Sequence, residues 1–361
     1  MQQINQSNFA DPFPRKKTKQ IMVGSVPVGG GAPIAVQTMT KTKTADIDGT
    51  VAQIKRCEEA QVDIVRVTVN DKKAAEAIGE IVNQVDVPIV ADIHFNHVFA
   101  LKAMDAGVAK VRINPGNIGT KDRIKEVLTK AKEMELPIRI GVNSGSLEKD
   151  ILEKYGYPTS EALFESAMRH VEIAHEFDFD NLAISVKSTS VPLMINAYRL
   201  LSERTDYPLH LGVTEAGRAR VGTIKSSVGI GTLLAEGIGD TLRVSLTDEP
   251  EKEVEVGREI LKSLGLAAPG VEIISCPTCG RIEVDLFKIT EELEQALKGI
   301  KKNVKIATLG CAVNGPGEAK EADIGVAFGK GDGILFKKGE MLRKVKVENI
   351  IDEIKKEVES L

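Results

Sequence analysis

The sequence predicts a (β/α)8 TIM barrel followed by a smaller α/β domain. Three observations lead there. Between residues 34 and 264, short β-branched runs alternate with amphipathic helical stretches eight times, and strict alternation demands a parallel sheet. Eight such units over roughly 230 residues have the size of a barrel. Almost every predicted strand ends in a polar or charged side chain, and the C-terminal strand ends are where a barrel carries its functional groups.

The predicted strands are 34–38, 64–67, 88–91, 109–113, 137–141, 182–186, 209–212 and 241–245. The predicted helices are 48–60, 72–84, 96–105, 120–133, 160–177, 191–203, 215–235 and 250–264. Ahead of them, residues 19–28 alternate around Gly24-Ser25 and read as a small hairpin. The run Gly29-Gly30-Gly31 reads as a loop, because no helix with Lys-Ser/Thr follows to make it a phosphate cradle. The competing architecture is an open doubly wound sheet with a glycine fingerprint after its first strand. Gly229-Ile230-Gly231-Thr232-Leu233-Leu234 lacks the third glycine and lies inside a helical unit. Residues 265–270 read as a linker. Beyond it the pattern is a strand from 271, a Cys-x-x-Cys turn, a helix (281–297), a strand (304–309), a loop (311–318), a strand (324–328), a hairpin around Gly339 and a helix (348–361). The expected domains are therefore 1–264 and 271–361, of ordinary domain size.

Composition narrows the class. Hydrophobic residues make 42% of the 361 and charged ones 28%, as in a globular protein. A net charge of −4 gives no bulk signal for nucleic acid or an acidic membrane surface. No run approaches the ~20 apolar residues of a membrane span. Residues 1–19 are polar, then basic, without the apolar core of a secretory signal. A cytoplasmic location with reduced cysteines is the expectation. Trp is absent and aromatics make 4%, which argues against a stacking platform for single strands or sugars.

The strand ends read Gln37-Thr38-Met39-Thr40, Arg66-Val67-Thr68, Asp92-Ile93-His94, Arg112-Ile113-Asn114, Arg139-Ile140-Gly141-Val142-Asn143, Ser185-Val186-Lys187-Ser188, His210 to Glu215, and Arg243-Val244-Ser245. Charged residues are almost never buried unpaired, so a set in register describes a polar pocket. Arg66, Arg112, Arg139, Lys187 and Arg243 outnumber Asp92 and Glu215. Guanidinium forks suit phosphate oxygens, so the expected substrate is a small phosphorylated or diphosphorylated anion. For Arg66 and Arg243 the competing role is a structural bridge to Asp92 and Asp240. Arg112, Arg139 and Lys187 are the stronger phosphate candidates. His94 and His210, at strand ends, are site candidates. His170 and His175 read as ordinary helix residues and His97 as solvated. Glu215 is either an acid–base group or a charge favoured by a helix N-terminus.

Three of the four cysteines lie in two matching loops: Cys276-Pro277-Thr278-Cys279-Gly280-Arg281, and Gly310-Cys311 followed by Ala312-Val313-Asn314-Gly315-Pro316-Gly317-Glu318. Each follows an apolar run, so each reads as a strand delivering thiols into a turn. Thiolates with free backbone N–H groups nearby suit a metal or an iron–sulfur cluster. A thioredoxin-like pair or half a zinc knuckle would explain Cys-x-x-Cys alone; the recurrence at Cys311 favours the cluster. No His follows His210, and Cys57 lies in helix-like sequence as a half-buried thiol, which leaves Glu318 as the candidate fourth ligand.

Taken together, these motifs resemble the bacterial two-domain (E)-4-hydroxy-3-methylbut-2-enyl diphosphate synthase family of the methylerythritol phosphate route to isoprenoids. The resemblance covers essentially the whole chain. It rests on Gln37-Thr38-Met39-Thr40, Ala91-Asp92-Ile93-His94-Phe95, Val111-Arg112-Ile113-Asn114-Pro115-Gly116-Asn117, Arg139 to Gly145, Gly212-Val213-Thr214-Glu215-Ala216-Gly217 and the two cysteine loops. It implies reductive opening of 2-C-methyl-D-erythritol 2,4-cyclodiphosphate. It further implies a [4Fe–4S] cluster on Cys276, Cys279, Cys311 and Glu318, fed singly with electrons by ferredoxin or flavodoxin. The diphosphate clamp would be Arg66, His94, Arg112, Arg139 and Lys187, with hydrogen bonds from Asn114, Asn143 and Ser185. Glu215 matches the carboxylate near the reacting carbons. A homodimer with sites shared between chains is also implied. The alternative reading is another barrel enzyme on a phosphorylated substrate with a structural zinc domain.

Overall fold

A computed structural model describes residues 13–361 other than 95, 114–119, 267–269, 301, 312–316 and 318–321. The chain divides into two units, Met1–Ala267 and Ala268–Leu361.

The first unit opens with the hairpin β1 (Ile21–Val23) and β2 (Val26–Val28), with Ile21 opposite Val28. Eight parallel strands follow: β3 (Ala35–Met39), β4 (Ile64–Val69), β5 (Ile89–Ile93), β6 (Lys110–Ile113), β7 (Ile138–Asn143), β8 (Leu182–Lys187), β9 (His210–Leu211) and β10 (Thr241–Leu242). Neighbours run in order from β8 down to β3, and then through β10 to β9. A parallel bridge between Ile184 and Leu209 joins β8 to β9 and closes the barrel.

The intervening helices are α1 (Ile47–Glu59), α2 (Lys72–Val82), α3 (His97–Asp105), α4 (Lys121–Glu133), α5 (Lys149–Tyr155), α6 (Ser160–Glu176), α7 (Val191–Arg204), α8 (Ala219–Ala235) and α9 (Pro250–Ser263). Asp46, Asp71, Asn96 and Thr159 start four of them by accepting a backbone N–H of the first turn. Two details depart from the sequence expectation. Helix α5 is an extra short helix after β7. Helix α8 begins at Ala219 rather than at Glu215, because Glu215 (φ +50°) and Gly217 (φ +111°) are left-handed and cannot start a right-handed helix.

The strands alternate with period two, and that alternation builds the site. Val65, Val67, Ala91, Ile93, Val111, Ile138, Ile140, Ile184 and Val186 face outward and join the core beneath the helices. At the start of the barrel, the inward residues Ala35, Ile64, Val90 and Ala183 pack on Ile21, Val23 and Val28. The hairpin is thus an apolar stopper at the N-terminal end of the barrel. Beyond the stopper the inward residues turn polar.

The second unit is a five-stranded sheet of β11 (Val271–Ser275), β12 (Val304–Leu309), β13 (Ile324–Phe328), β14 (Asp332–Lys337) and β15 (Glu340–Lys346), in that order. The first three are parallel and the last two antiparallel. Helices α10 (Leu286–Ala296) and α11 (Ile350–Glu359) place Leu286, Ile289, Leu293, Ile350, Ile354 and Val358 in one cluster with Ile306, Ile324, Val326 and Leu335. Helix α10 starts later than residue 281 because Asp285 is its cap, accepting from the Lys288 N–H. Among the described residues, no helix is long and apolar enough to cross a membrane.

Candidate active site

Asp92 is the hub of the barrel interior. Arg112 Nη1 donates to its Oδ1 at 2.9 Å, while Arg66 Nε lies 3.6 Å and His94 Nε2 3.5 Å from its Oδ2. Burial alone would raise the Asp92 pKa; Arg66, His94 and Arg112 override it and hold the carboxyl well below its usual range. Burial also pushes Arg66 down, to about 10, against the pull of Asp92. Arg112 spends Nη2 on the Gly141 carbonyl at 3.0 Å. An alanine Cβ at 141 would stand 2.5 Å from Arg112 Nε, so the glycine lets the guanidinium lie flat on the barrel wall. Arg112 was expected as a freer phosphate ligand; two of its three nitrogens are committed inside the protein.

Arg139 differs. It is fully buried beside Arg112 in strand register, and neither its Nε nor its Nη1 has a partner among the described residues. Lys110, one inward step below Arg112, is also fully buried, and its Nζ is unpartnered. Burial first, then neighbouring cations, push Lys110, Arg139 and Lys187 below their ordinary values. A guanidinium keeps its proton regardless, so this buried concentration of positive charge favours a bound anion. The buried amide of Gln37 is unpartnered as well.

Lys187 ends β8, with Nζ 3.3 Å from His210 Nε2. Ser185 Oγ sits 3.5 Å from the Ile140 carbonyl, and Asn143, half-buried, lies opposite Lys187 in register. Asn114 lies outside the described residues. Glu215 is exposed on its left-handed turn, beyond the end of β9.

Other expectations need correction. Arg243 does not meet Asp240. It forks onto Glu253, while Asp240 pairs with Arg15 at 3.0 Å. Glu253 and Lys110 are site residues that the sequence reading missed. Alternation in Lys110-Val111-Arg112-Ile113 does place Lys110 on the same face as Arg112, a signal that was available. Glu253 reads merely as acidic first-turn sequence of α9. Of the other histidines, His97 meets Glu126 at 3.2 Å, His170 meets Glu148 at 2.7 Å and His175 meets the Tyr207 hydroxyl at 2.6 Å, so all three have fixed partners.

In the second unit, β11 and β12 run parallel and side by side. Cys276 N–H donates to the Thr308 carbonyl at 3.0 Å, so Cys276 and Cys311 leave adjacent strand ends. Thr278, at φ +60°, turns its N–H onto Cys276 Sγ at 3.4 Å. Backbone and side-chain hydrogen bonds from Arg281 lower the pKa of the exposed Cys279. A Cβ at Gly310 would stand 2.9 Å from Ile282, so the glycine lets the two cysteine loops close on each other. Cys57 is different: fully buried in α1, its thiol is pushed up to about 12 by burial and is inert. All four cysteines are unbridged. Among the described residues, no three His, Cys, Asp or Glu side chains converge on one ion position. A cubane asks each thiolate only for its own iron, and free thiols with N–H groups aimed at sulfur fit such a cluster. Glu318 lies outside the described residues.

The profile of the GcpE TIM-barrel domain matches residues 18–258, and that of the GcpE protein C-terminal domain matches residues 272–360. The chain belongs to the GcpE family. It is 55% identical over 347 residues to the 4-hydroxy-3-methylbut-2-en-1-yl diphosphate synthase (flavodoxin) of Clostridium perfringens, covering 96% of this chain and 99% of that one. The enzyme of the same name from Clostridium acetobutylicum is 57% identical, with the same coverage of 96% and 99%. That of Shouchella clausii is 54% identical over 353 residues, covering 98% of this chain and 96% of that one.

Proposed function

We propose that this GcpE-family chain is an iron–sulfur oxidoreductase of isoprenoid biosynthesis. It opens the ring of 2-C-methyl-D-erythritol 2,4-cyclodiphosphate with two electrons and two protons, giving 4-hydroxy-3-methylbut-2-en-1-yl diphosphate and water. The observation that carries the reading is the pairing of a buried, anion-seeking barrel with three free thiols at adjacent strand ends, in a chain so similar to these synthases.

The barrel binds and orients. Arg139, with unspent donors, and Lys187 are the phosphate ligands, and Asp92 keys Arg66, His94 and Arg112 into a fixed cationic wall. Asn143 and Ser185, with Asn114, add hydrogen bonds to the substrate. Glu215, exposed at the mouth, passes a proton to the departing oxygen. A [4Fe–4S] cluster on Cys276, Cys279, Cys311 and Glu318 would supply low-potential electrons and a Lewis-acidic iron. Flavodoxin, named for the relatives, or ferredoxin is the donor.

Assembly as a homodimer is part of the same reading. Val221, Ile224 and Val228 are 53, 57 and 54% exposed along one stripe of α8, the kind of surface a second copy covers. Free thiols suit a reducing cytoplasm.

The test is anaerobic. Purified protein should carry about four irons per chain, absorb broadly in the visible and turn over the cyclodiphosphate with reduced flavodoxin. Stoichiometric zinc without iron would overturn this reading in favour of another phosphate-handling barrel with a structural zinc domain.

A further inference from the structure

We propose that His210 is a positioning residue, whose Nε2 accepts a hydrogen bond from Lys187 and holds that amine where the substrate's diphosphate arrives. The inference rests on the reading above that Lys187 is a diphosphate ligand.

Lys187 is the last residue of β8 and His210 the first of β9, on the seam that closes the barrel. Nζ and Nε2 are 3.3 Å apart. Among the described residues this is the one hydrogen-bond partner of the amine. An ammonium, the form that an arriving diphosphate favours, only donates, so in that form Nε2 is the acceptor and the ring proton sits on Nδ1. Nδ1 lies 3.4 Å from Thr241 Oγ1 on β10, which can take that proton's hydrogen bond. The two contacts fix one tautomer and one ring plane.

The surroundings keep the ring an acceptor. His210 is fully buried. Burial first, then Arg139, Lys187, Lys110 and Arg66, push its pKa well below the usual histidine value. A proton on Nε2 would turn the acceptor into a donor facing Lys187, among four cations.

The other side of the amine is shaped as well. A Cβ at residue 212 would stand 2.9 Å from Lys187 Nζ, so Gly212 leaves the space that the lysine occupies. Tyr198 from α7 donates its hydroxyl proton to the His210 carbonyl and accepts from the Val186 N–H at 3.3 Å. One hydroxyl therefore ties the two backbones that carry the pair. A histidine that merely filled space would need neither the acceptor geometry nor the second contact to Thr241.

The experiment is calorimetric binding of the cyclodiphosphate to the anaerobic, cluster-loaded full chain. Lys187→Ala should bind about tenfold weaker or worse, the loss of one charge-assisted contact. His210→Leu should bind about tenfold weaker with the visible spectrum unchanged, and His210→Gln, which restores an acceptor, should bind near the wild-type level. The Lys187→Ala/His210→Leu double variant should be no weaker than Lys187→Ala, because the two act as a unit. Should His210→Leu fail to fold, His210→Asn, with its shorter reach, takes its place with the same expected loss. Wild-type binding by His210→Leu (or by His210→Asn in its place), a His210→Gln variant as weak as His210→Leu, or losses that multiply in the double variant, would overturn the inference alone. Wild-type binding by Lys187→Ala would overturn the diphosphate reading of Lys187, and the inference with it.

Discussion

Glu253 holds Arg243 in a fork: Arg243 Nε donates to one carboxylate oxygen at 3.1 Å and Nη2 to the other at 3.0 Å. The same carboxylate accepts from Thr38 Oγ1 at 2.8 Å and from the Leu246 N–H at 3.0 Å, with Lys41 Nζ at 3.5 Å. It is fully buried in the first turn of α9, so it fastens that helix to the ends of β3 and β10. Removing it leaves a largely buried guanidinium without its counter-ion. Glu253→Ala should destabilise the barrel by about 3–5 kcal/mol in denaturant unfolding. Adding Arg243→Met should recover part of that loss, since no unpaired charge then remains. A second substitution that only deepened the loss would count against the fork as the source.

The cysteine loops make a prediction about iron. Cys276→Ser, Cys279→Ser and Cys311→Ser should each lose the cluster and the activity. Cys57→Ala should keep both, because its thiol is sealed in α1 and has no role at the loops. Glu318→Ala tests the fourth ligand. Iron analysis showing loss in Cys57→Ala and retention in Glu318→Ala would reverse the assignment.

Lys110 gives a pH signature. Its amine titrates lower in the folded chain than in the unfolded one, because burial and the cations Arg139 and Arg66 oppose its charge. Between the two values the unfolded chain holds a proton that the folded chain has lost, so stability rises with pH across that window. Below the folded value the buried charge is felt in full. Lys110→Met should therefore stabilise the substrate-free barrel near neutral pH and flatten the rise in stability toward alkaline pH. Unfolding free energies compared at about pH 7 and about pH 9 read this directly. An unchanged slope would mean that the amine finds an acceptor inside the barrel.

The barrel was legible because its outward positions are apolar and its helices amphipathic, so alternation alone located all eight strands. The cysteine loops were legible because the thiols recur after two apolar runs. What escaped was pairing. Asp92 lies twenty residues from Arg112, yet parallel register sets them side by side; Asp240 stands closer to Arg243 in sequence than Glu253 does, yet only Glu253 reaches it. Local sequence gives no sign of which carboxylate a helix turns inward. Helix α8 was placed too early because helical periodicity continues through Glu215, while the left-handed turn at Glu215 and Gly217 is set by tertiary packing of the strand end.

The last prediction concerns the shared site of the proposed homodimer. Helix α9 has 14 residues, about 21 Å at 1.5 Å per residue, and runs antiparallel to the strands. Its end therefore lies toward the hairpin-stoppered side, while Lys187, Glu215 and Arg243 mark the opposite mouth. Residues 264–270, the segment between α9 and β11, reach at most about 25 Å when fully extended. That reach is little more than the length of α9 itself. In the proposed head-to-tail pair with two-fold symmetry, each cluster domain would serve the partner's barrel. Glu215→Ala and Cys276→Ser homodimers should each be nearly inactive. A mixed dimer of the two would then contain one composite site with an intact barrel and an intact cluster, and should recover up to half of the wild-type rate per dimer. The measurement is turnover of a heterodimer purified by two different affinity tags. Heterodimer verified by mass, yet no more active than its parents, would show that each chain serves its own site.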